Sequence, residues 1–346
     1  MVSFSALPGW QSADLKPALA AFRRSCAVIA GKPPGEAIND YAGTAQDWQK
    51  VCARLSGDAR GFFEKNFTPY RLDGDGLFTG YYEPEIHGSR LRHDAFQTPV
   101  YGLPGDLIRV DLGQFAPQYK GEHISGRLDR QRLVPYASRA EIDTNGLASA
   151  KILFWCDDPV ALFFLQIQGS GRVRFDDGGV ARIQYAGENG RPYTAIGRVL
   201  VTAGRLARDQ LSLENIRNWL KANPGLAQSV MEADQSFVFF QEAPIGDAGL
   251  GSPGVEHVAL TPRGSMAIDL RKNALGAPYY VAADPVHALL IAQDTGGAIR
   301  GPARGDVFFG FGQAAEKDAG GLKAQGRLYV LLPNGVAARL GKNVMS

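Results

Sequence analysis

"AQDTGGAIRGPARGDVFFGFG", residues 292–312, sets Asp294 and Asp306 in a segment otherwise made largely of glycine, aliphatic and aromatic residues. That composition reads as buried strand and tight turn, where a carboxylate is out of place unless it is hydrogen-bonded or chemically employed. Desolvation disfavours the ionised form, so a carboxyl here has a raised pKa, and a second carboxylate nearby raises it further. A carboxylic acid that keeps its proton can give it to a leaving oxygen and then take one from a nucleophile. Glycosidic cleavage is the commonest use of such a group, normally with two carboxylates flanking the bond. Phe308, Phe309 and Phe311 would suit the apolar faces of sugar rings. A structural reading stands beside this one: Asp294 caps a turn and Asp306 begins a strand at the surface.

The whole chain has 346 residues, and single cores stop growing at roughly 250–300 residues, which favours two domains. Glycine occurs 42 times, well above the ordinary share of about 7%, and indicates many turns and bulges in a β-rich body. The net charge is +2 and no Lys/Arg run exceeds two residues, so nucleic acid is not the expected partner. No apolar run is long enough to span a membrane. The opening "MVSFSALPGW" does not read as a signal peptide. The three cysteines, Cys26, Cys52 and Cys156, form no C-x-x-C or Cys/His cluster, so no metal is expected. Cys26 and Cys52 fall on neighbouring predicted helices. They either pair in an oxidising compartment or stay as two buried thiols.

Helices are predicted over 14–30, with Asp14 as N-cap, over 44–55, where Thr44 and Asp47 have capping-box spacing, and over 58–67. From Leu77 the pattern alternates. "GLFTGYYEPEI" reads as a strand, and "RVRFDDGGVARIQY" as a hairpin about Asp176–Gly179. "AKILFWCDDPVALFFLQIQGSG" reads as strand, turn and strand. Helices return at 194–206 and at 212–224, the second capped by Ser212 and stopped at Asn223-Pro224. Strands dominate after Ser236, ending in a hairpin about Pro333-Asn334-Gly335.

Several motifs fail their own chemistry. "DGDG" at Asp73 would need oxygen ligands where Arg71 and Tyr82 stand, so it is no calcium loop. "GSGRVRF" at Gly169 lacks the third glycine and the following helix of a dinucleotide loop. "DTG" at Asp294 occurs once, whereas a single-chain aspartic protease carries it twice.

Other segments share one order with the opening stretch: "TGYYEP" (79–84), "IQGSGRVRF" (167–175), "YAGENGRPYTAIGRVL" (185–200), "SFVFF" (236–240), "SMAID" (265–269) and, after it, "GRLYVLLP". Together they resemble the membrane-bound lytic murein transglycosylase A family of Gram-negative bacteria, over most of residues 75–333. The resemblance implies a mainly β fold: N-terminal helices, a double-psi β-barrel, and a second β-domain inserted into it, with a glycan groove between the two. The first domain would be discontinuous, 1–96 plus 235–346, and the insert would run over 97–234.

The same resemblance implies a substrate, peptidoglycan glycan strands, and a non-hydrolytic cleavage that leaves 1,6-anhydromuramic acid. It maps the family's three aspartates onto Asp269, Asp294 and Asp306. Asp306 is then the single catalytic acid and base, with Asp294 and Asp269 in support. Substrate contacts are expected from Thr79, Tyr82, Gln168, Ser170, Tyr185, Asn189 and Phe311. Glu83 is the rival acid, set against a structural ion pair. No cofactor is implied. The implied location is the periplasm. Outer-membrane attachment would use a lipid anchor outside this sequence, and association with the cell-wall synthesis machinery is left open. Two other readings remain, an ordinary hydrolase pairing Asp306 with Glu83 and a barrel that only binds cell wall.

Overall fold

The computed structural model describes residues 1–120, 122–296 and 299–343. It opens with helices α1 (Lys16–Ala30), α2 (Ala45–Cys52) and α3 (Ala59–Asn66). On α1, Leu19, Phe22, Cys26 and Ile29 are all buried, at a spacing that keeps them on one helical face. Asp14 lies just outside the helix, yet its carboxylate accepts the Lys16 N–H at 3.0 Å. The Thr44/Asp47 capping box opens α2. Phe22 meets Trp48, Phe62, Phe63 and Phe67 in one aromatic cluster. A disulfide joins Cys26 to Cys52, with 5.5 Å between their Cα atoms. The remaining thiol, Cys156, is buried, and burial pushes it up to about 12.

Strands β1 (Phe67–Arg71) and β2 (Gly76–Glu83) follow, then β3 (Glu85–Ser89), β4 (Thr98–Tyr101), β5 (Ile108–Asp111), β6 (His123–Asp129) and β7 (Arg132–Pro135). Next come α4 (Arg139–Asn145), β8 (Ile152–Cys156), α5 (Pro159–Gln168), β9 (Ser170–Phe175), β10 (Val180–Glu188), α6 (Ile196–Thr202), α7 (Leu213–Ala222) and α8 (Pro224–Glu232). The last part holds β11 (Val238–Ala243), β12 (Ser265–Ile268), β13 (Pro278–Ala283), β14 (Val286–Asp294), β15 (Arg304–Phe311), α9 (Gly312–Gly321), β16 (Lys323–Pro333) and α10 (Asn334–Asn343).

These elements fall into two units, Met1–Glu83 with Asp247–Ser346, and Pro84–Gly246. In the first, the strand order is β16-β13-β14-β12-β15-β2, and the start of β16 returns to pair with β2. The ring therefore closes, with β1 added outside β16. Its two parallel pairings, β12 with β14 and β15 with β2, sit among antiparallel ones. Every residue of β13 is buried. That is the pattern of a strand covered on both faces. The N-terminal segment supplies part of the cover, with the Trp10 ring 5.2 Å from that of Tyr280 and the Tyr41 hydroxyl 3.0 Å from that of Tyr279. α1 packs on β14 and β12, α2 on β16, α9 on β2 and β15, and α10 on β1 and β16.

The second unit has a six-stranded sheet, β11-β10-β9-β3-β8-β4, and a three-stranded one, β5-β6-β7. The hairpin read about Asp176–Gly179 is β9–β10. Because β3 pairs with β8 and β9, the stretch just after Pro84 belongs to this sheet.

Two local expectations are corrected. Residues 159–168, read as strand, form α5. The Asp158 carboxylate accepts the N–H groups of Val160 and Ala161, both at 2.9 Å, and Pro159 takes the first helical position. An all-apolar run does not reveal its period, so the cap decides. The C-terminal hairpin is also absent: after Pro333 the chain turns into α10. Val336 and Ala337 are buried there, and Tyr70 donates from its hydroxyl to the Ala337 carbonyl at 3.2 Å. Pro224 stops α7 as expected and also starts α8. Helices α4 and α9 were not anticipated. α4 carries a clear signal, the Ser138/Glu141 capping box.

Candidate active site

Strand register assembles the aspartates. Ala267 of β12 lies opposite Asp306 of β15 on one side and opposite Asp294 of β14 on the other. Asp306 in turn lies opposite Thr79 of β2. Cross-strand partners project to the same face, so Asp294, Ala267, Asp306 and Thr79 form one row. Two inter-strand steps separate the aspartate backbones, about 10 Å. The residue between them is the small, buried Ala267.

Asp306 Oδ1 accepts the Thr79 hydroxyl proton at 2.5 Å. The Thr79 oxygen also accepts from Arg304 Nη2 at 2.7 Å, which directs its own hydrogen to Asp306. Among the described residues, Oδ2 of Asp306 has no hydrogen-bond partner, and it is the oxygen left to carry a proton. Burial and the Asp294 charge raise the Asp306 pKa, while Thr79 and Arg304 pull it down; burial is the largest effect and the net direction is upward.

Asp294 is held differently. Its Oδ2 accepts from the Tyr81 hydroxyl at 2.9 Å and its Oδ1 from the Val255 N–H at 3.3 Å. Burial first, then the Asp294 charge and hydrogen bond, lift the Tyr81 phenol well above its ordinary range, so it stays a donor. With each oxygen hydrogen-bonded, the Asp294 carboxylate is fixed in position near Asp306.

Asp269 is 1% exposed and lies outside this row. Both its oxygens accept from the Arg271 side chain, at 2.9 and 3.0 Å, and Oδ2 also accepts the Gly301 N–H. These donors hold its carboxyl well below the usual range. It therefore anchors the loop that leads into β15. Neither aspartate fits the structural reading. Asp294 ends β14, and its carboxylate accepts from Tyr81 and Val255, far away in sequence, rather than capping a local turn. Asp306 sits within β15, not at an exposed strand start.

The other expected site residues separate on geometry. Alternation along β2 puts Thr79, Tyr81 and Glu83 on one face and Tyr82 on the other. Glu83 is 5% exposed and accepts from Ser252 Oγ at 2.7 Å. Phe311 ends β15, half-buried opposite Glu83. Phe308 is no sugar platform: it is buried, with its ring 5.2 Å from that of Tyr81. In the second unit Gln168 and Tyr185 are exposed and Ser170 is half-buried. Tyr185 lines a cavity of about 250 Å3 with Arg109, His123 and Glu188. Asn189 is a correction. It is fully buried, and its amide binds the carbonyls of Ala137 and Gln235 and the N–H groups of Arg191 and Phe237. Nothing is left to offer a ligand. The sequence reading missed Tyr81 and Arg304, though alternation from Thr79 would have found the first.

A model of the MltA specific insert domain matches residues 77–241, and a 3D domain model matches residues 264–332. The crystal structure of MltA from Neisseria gonorrhoeae superposes with a TM-score of 0.79 at 32% identity, covering 96% of this chain and 90% of that one. The chain belongs to the lytic murein transglycosylase A family. The membrane-bound lytic murein transglycosylase A of Escherichia coli K12 is 29% identical over 315 residues, which cover 86% of this chain and 76% of the relative. The E. coli MltA structure with bound chitohexaose aligns at 26% identity and a TM-score of 0.62, covering 91% of this chain and 90% of that one. The mainly β fold with an interrupted barrel is the family's. Among the described residues no helix is long and apolar enough to cross a membrane.

Proposed function

We propose that this chain cleaves the β-1,4 bond between N-acetylmuramic acid and N-acetylglucosamine in peptidoglycan without water, leaving a 1,6-anhydromuramic end. The observation that carries the reading is the Asp294–Ala267–Asp306–Thr79 row, in which burial raises the pKa of one carboxyl and the other accepts a hydrogen bond at each oxygen. Asp306 protonates the bridging oxygen as the bond from C1 of muramic acid breaks. The sugar's own N-acetyl carbonyl shields the positive charge that develops. Ionised Asp306 then takes the proton of the same sugar's 6-hydroxyl as that oxygen bonds to C1. The nucleophile is tethered, so it gains the effective-molarity advantage of an intramolecular group. Gln168, Ser170 and Tyr185 are the second unit's candidate glycan contacts. The Cys26–Cys52 bond supports an oxidising compartment, here the periplasm. Digestion of purified sacculi tests the scheme. Muropeptides should be lighter by one water than hydrolysis products, and hydrolytic masses would overturn it.

The pH dependence has a defined sign. The acid form of Asp306 starts the reaction, so the rate falls as pH rises through its pKa. Asp294→Asn removes a charge that raises that pKa and should move the alkaline limb of kcat to lower pH. Thr79→Val removes a hydrogen bond that lowers it and should move the limb to higher pH. Limbs that stay in place in both variants would exclude Asp306 as the titrating group.

A further inference from the structure

A buried polar network outside the aspartate row grips the residue before Asp294. Gln293 is fully buried at the end of β14. Its Nε2 donates to the Ala21 carbonyl at 3.0 Å and to Ser25 Oγ at 2.9 Å, both on α1, and its Oε1 accepts from Ser265 Oγ at 2.6 Å. Ser25 Oγ passes its own hydrogen to Glu256 Oε2 at 2.6 Å. Glu256 is 5% exposed, and burial pushes its carboxyl up to about 7; Lys32 is the cation that faces it.

The backbone beside Glu256 touches the same two residues. The Glu256 N–H donates to the Gln293 carbonyl at 3.1 Å, and the preceding Val255 N–H donates to Asp294 Oδ1. At Gly254 a Cβ would come within 2.4 Å of the Gln293 carbonyl oxygen and 3.2 Å of Asp294 Cβ, so the turn lies too close to accept a side chain. The 254–256 turn is thus pinned at Glu256 by a buried carboxyl, and the neighbouring Val255 carries the donor to Asp294.

We propose that Glu256 is a positioning residue: by locking the 254–256 turn to Ser25 and Gln293, it sets where the Asp294 carboxylate stands relative to Asp306. The inference rests on Asp306 being the acid. Asp294 raises the Asp306 pKa by its charge, so a displaced Asp294 weakens that effect.

The experiment compares Glu256→Ala, Glu256→Gln and Ser25→Ala with wild type on sacculi, each shown folded by circular dichroism at the assay temperature. Glu256→Ala should lower kcat about 10- to 100-fold, with KM changed less than about twofold, because a small misplacement at the reacting centre is costly. Its alkaline limb should move to lower pH. Glu256→Gln keeps an oxygen acceptor for Ser25 and should recover most of kcat. Ser25→Ala breaks the link with little change in volume and should shift kcat and the limb the same way, more weakly. Wild-type kcat and pH limb in Glu256→Ala or Ser25→Ala would overturn the inference, as would a glutamine variant as impaired as the alanine one. Failure of wild type to release anhydro products would instead overturn the functional reading.

Discussion

Asp306→Asn should lose turnover on sacculi by on the order of 10^3-fold while remaining folded. The amide keeps a carbonyl oxygen to accept the Thr79 hydroxyl, so the contact that orients the side chain survives. What disappears is the removable proton, and with it both the acid step and the base step. Loss of stability would not explain the result. A carboxyl whose folded pKa is raised makes the protein less stable as pH climbs from the unfolded value through the folded one. The Asp306 shift has that direction. Asparagine cannot ionise, so the variant should be as stable as wild type near neutral pH or more so. Activity is read as soluble muropeptides separated by mass, and stability as a denaturant midpoint. Glu83→Gln is the companion measurement. In a two-carboxylate hydrolase it would be about as damaging as Asp306→Asn. In the single-acid scheme Glu83 is a hydrogen-bonded partner of Ser252, and its loss should cost far less activity. An Asp306→Asn enzyme within tenfold of wild type would end the assignment.

The aspartate row could be suspected in the sequence but not built from it. Glycine-rich strand composition around Asp294 and Asp306 marks carboxyls in an apolar setting, and that reading needs only desolvation physics. Their pairing across Ala267 depends on register between strands far apart in the chain, with a shift at Met266/Ala267, and no local pattern encodes it. Asp269 shows the limit from the other side. It falls in the same motif series, but only the fold reveals that Arg271 and the Gly301 N–H consume its charge. Asn189 failed for a similar reason, since a polar residue between glycines looks alike whether it faces a ligand or staples backbone. The helix misread as strand at 159–168 had its signal in Asp158-Pro159, an N-cap followed by proline, which an apolar run obscured. Glu256 was unreadable, because its partners come from α1 and β14.

The disulfide is where the fold's stability and the proposed location meet, and its removal is the second large effect expected. Cys26 lies on the buried face of α1 and Cys52 ends α2, so the bond ties the helix that grips Gln293 to its neighbour. Cross-linking residues 26 apart in sequence restricts the unfolded chain, which in the loop-entropy model is worth about 3.5 kcal/mol. Cys26→Ser with Cys52→Ser should therefore lower the unfolding free energy by roughly that amount. The check is a denaturant titration of wild type and the double variant, each with and without reductant. Reductant should bring wild type close to the variant and leave the variant unchanged, since the only other cysteine is the buried, high-pKa Cys156. If reductant leaves wild type at its original midpoint, either the bond is not formed or it contributes nothing, and the argument from the disulfide to an oxidising compartment falls with it. If the midpoint drops as expected, kcat of the variant, measured where it is still folded, separates two roles for the cross-link. An unchanged value means that α1 holds Gln293 through its packed face alone. A reduced one means that the α1–α2 tie itself helps keep Asp294 in place beside Asp306.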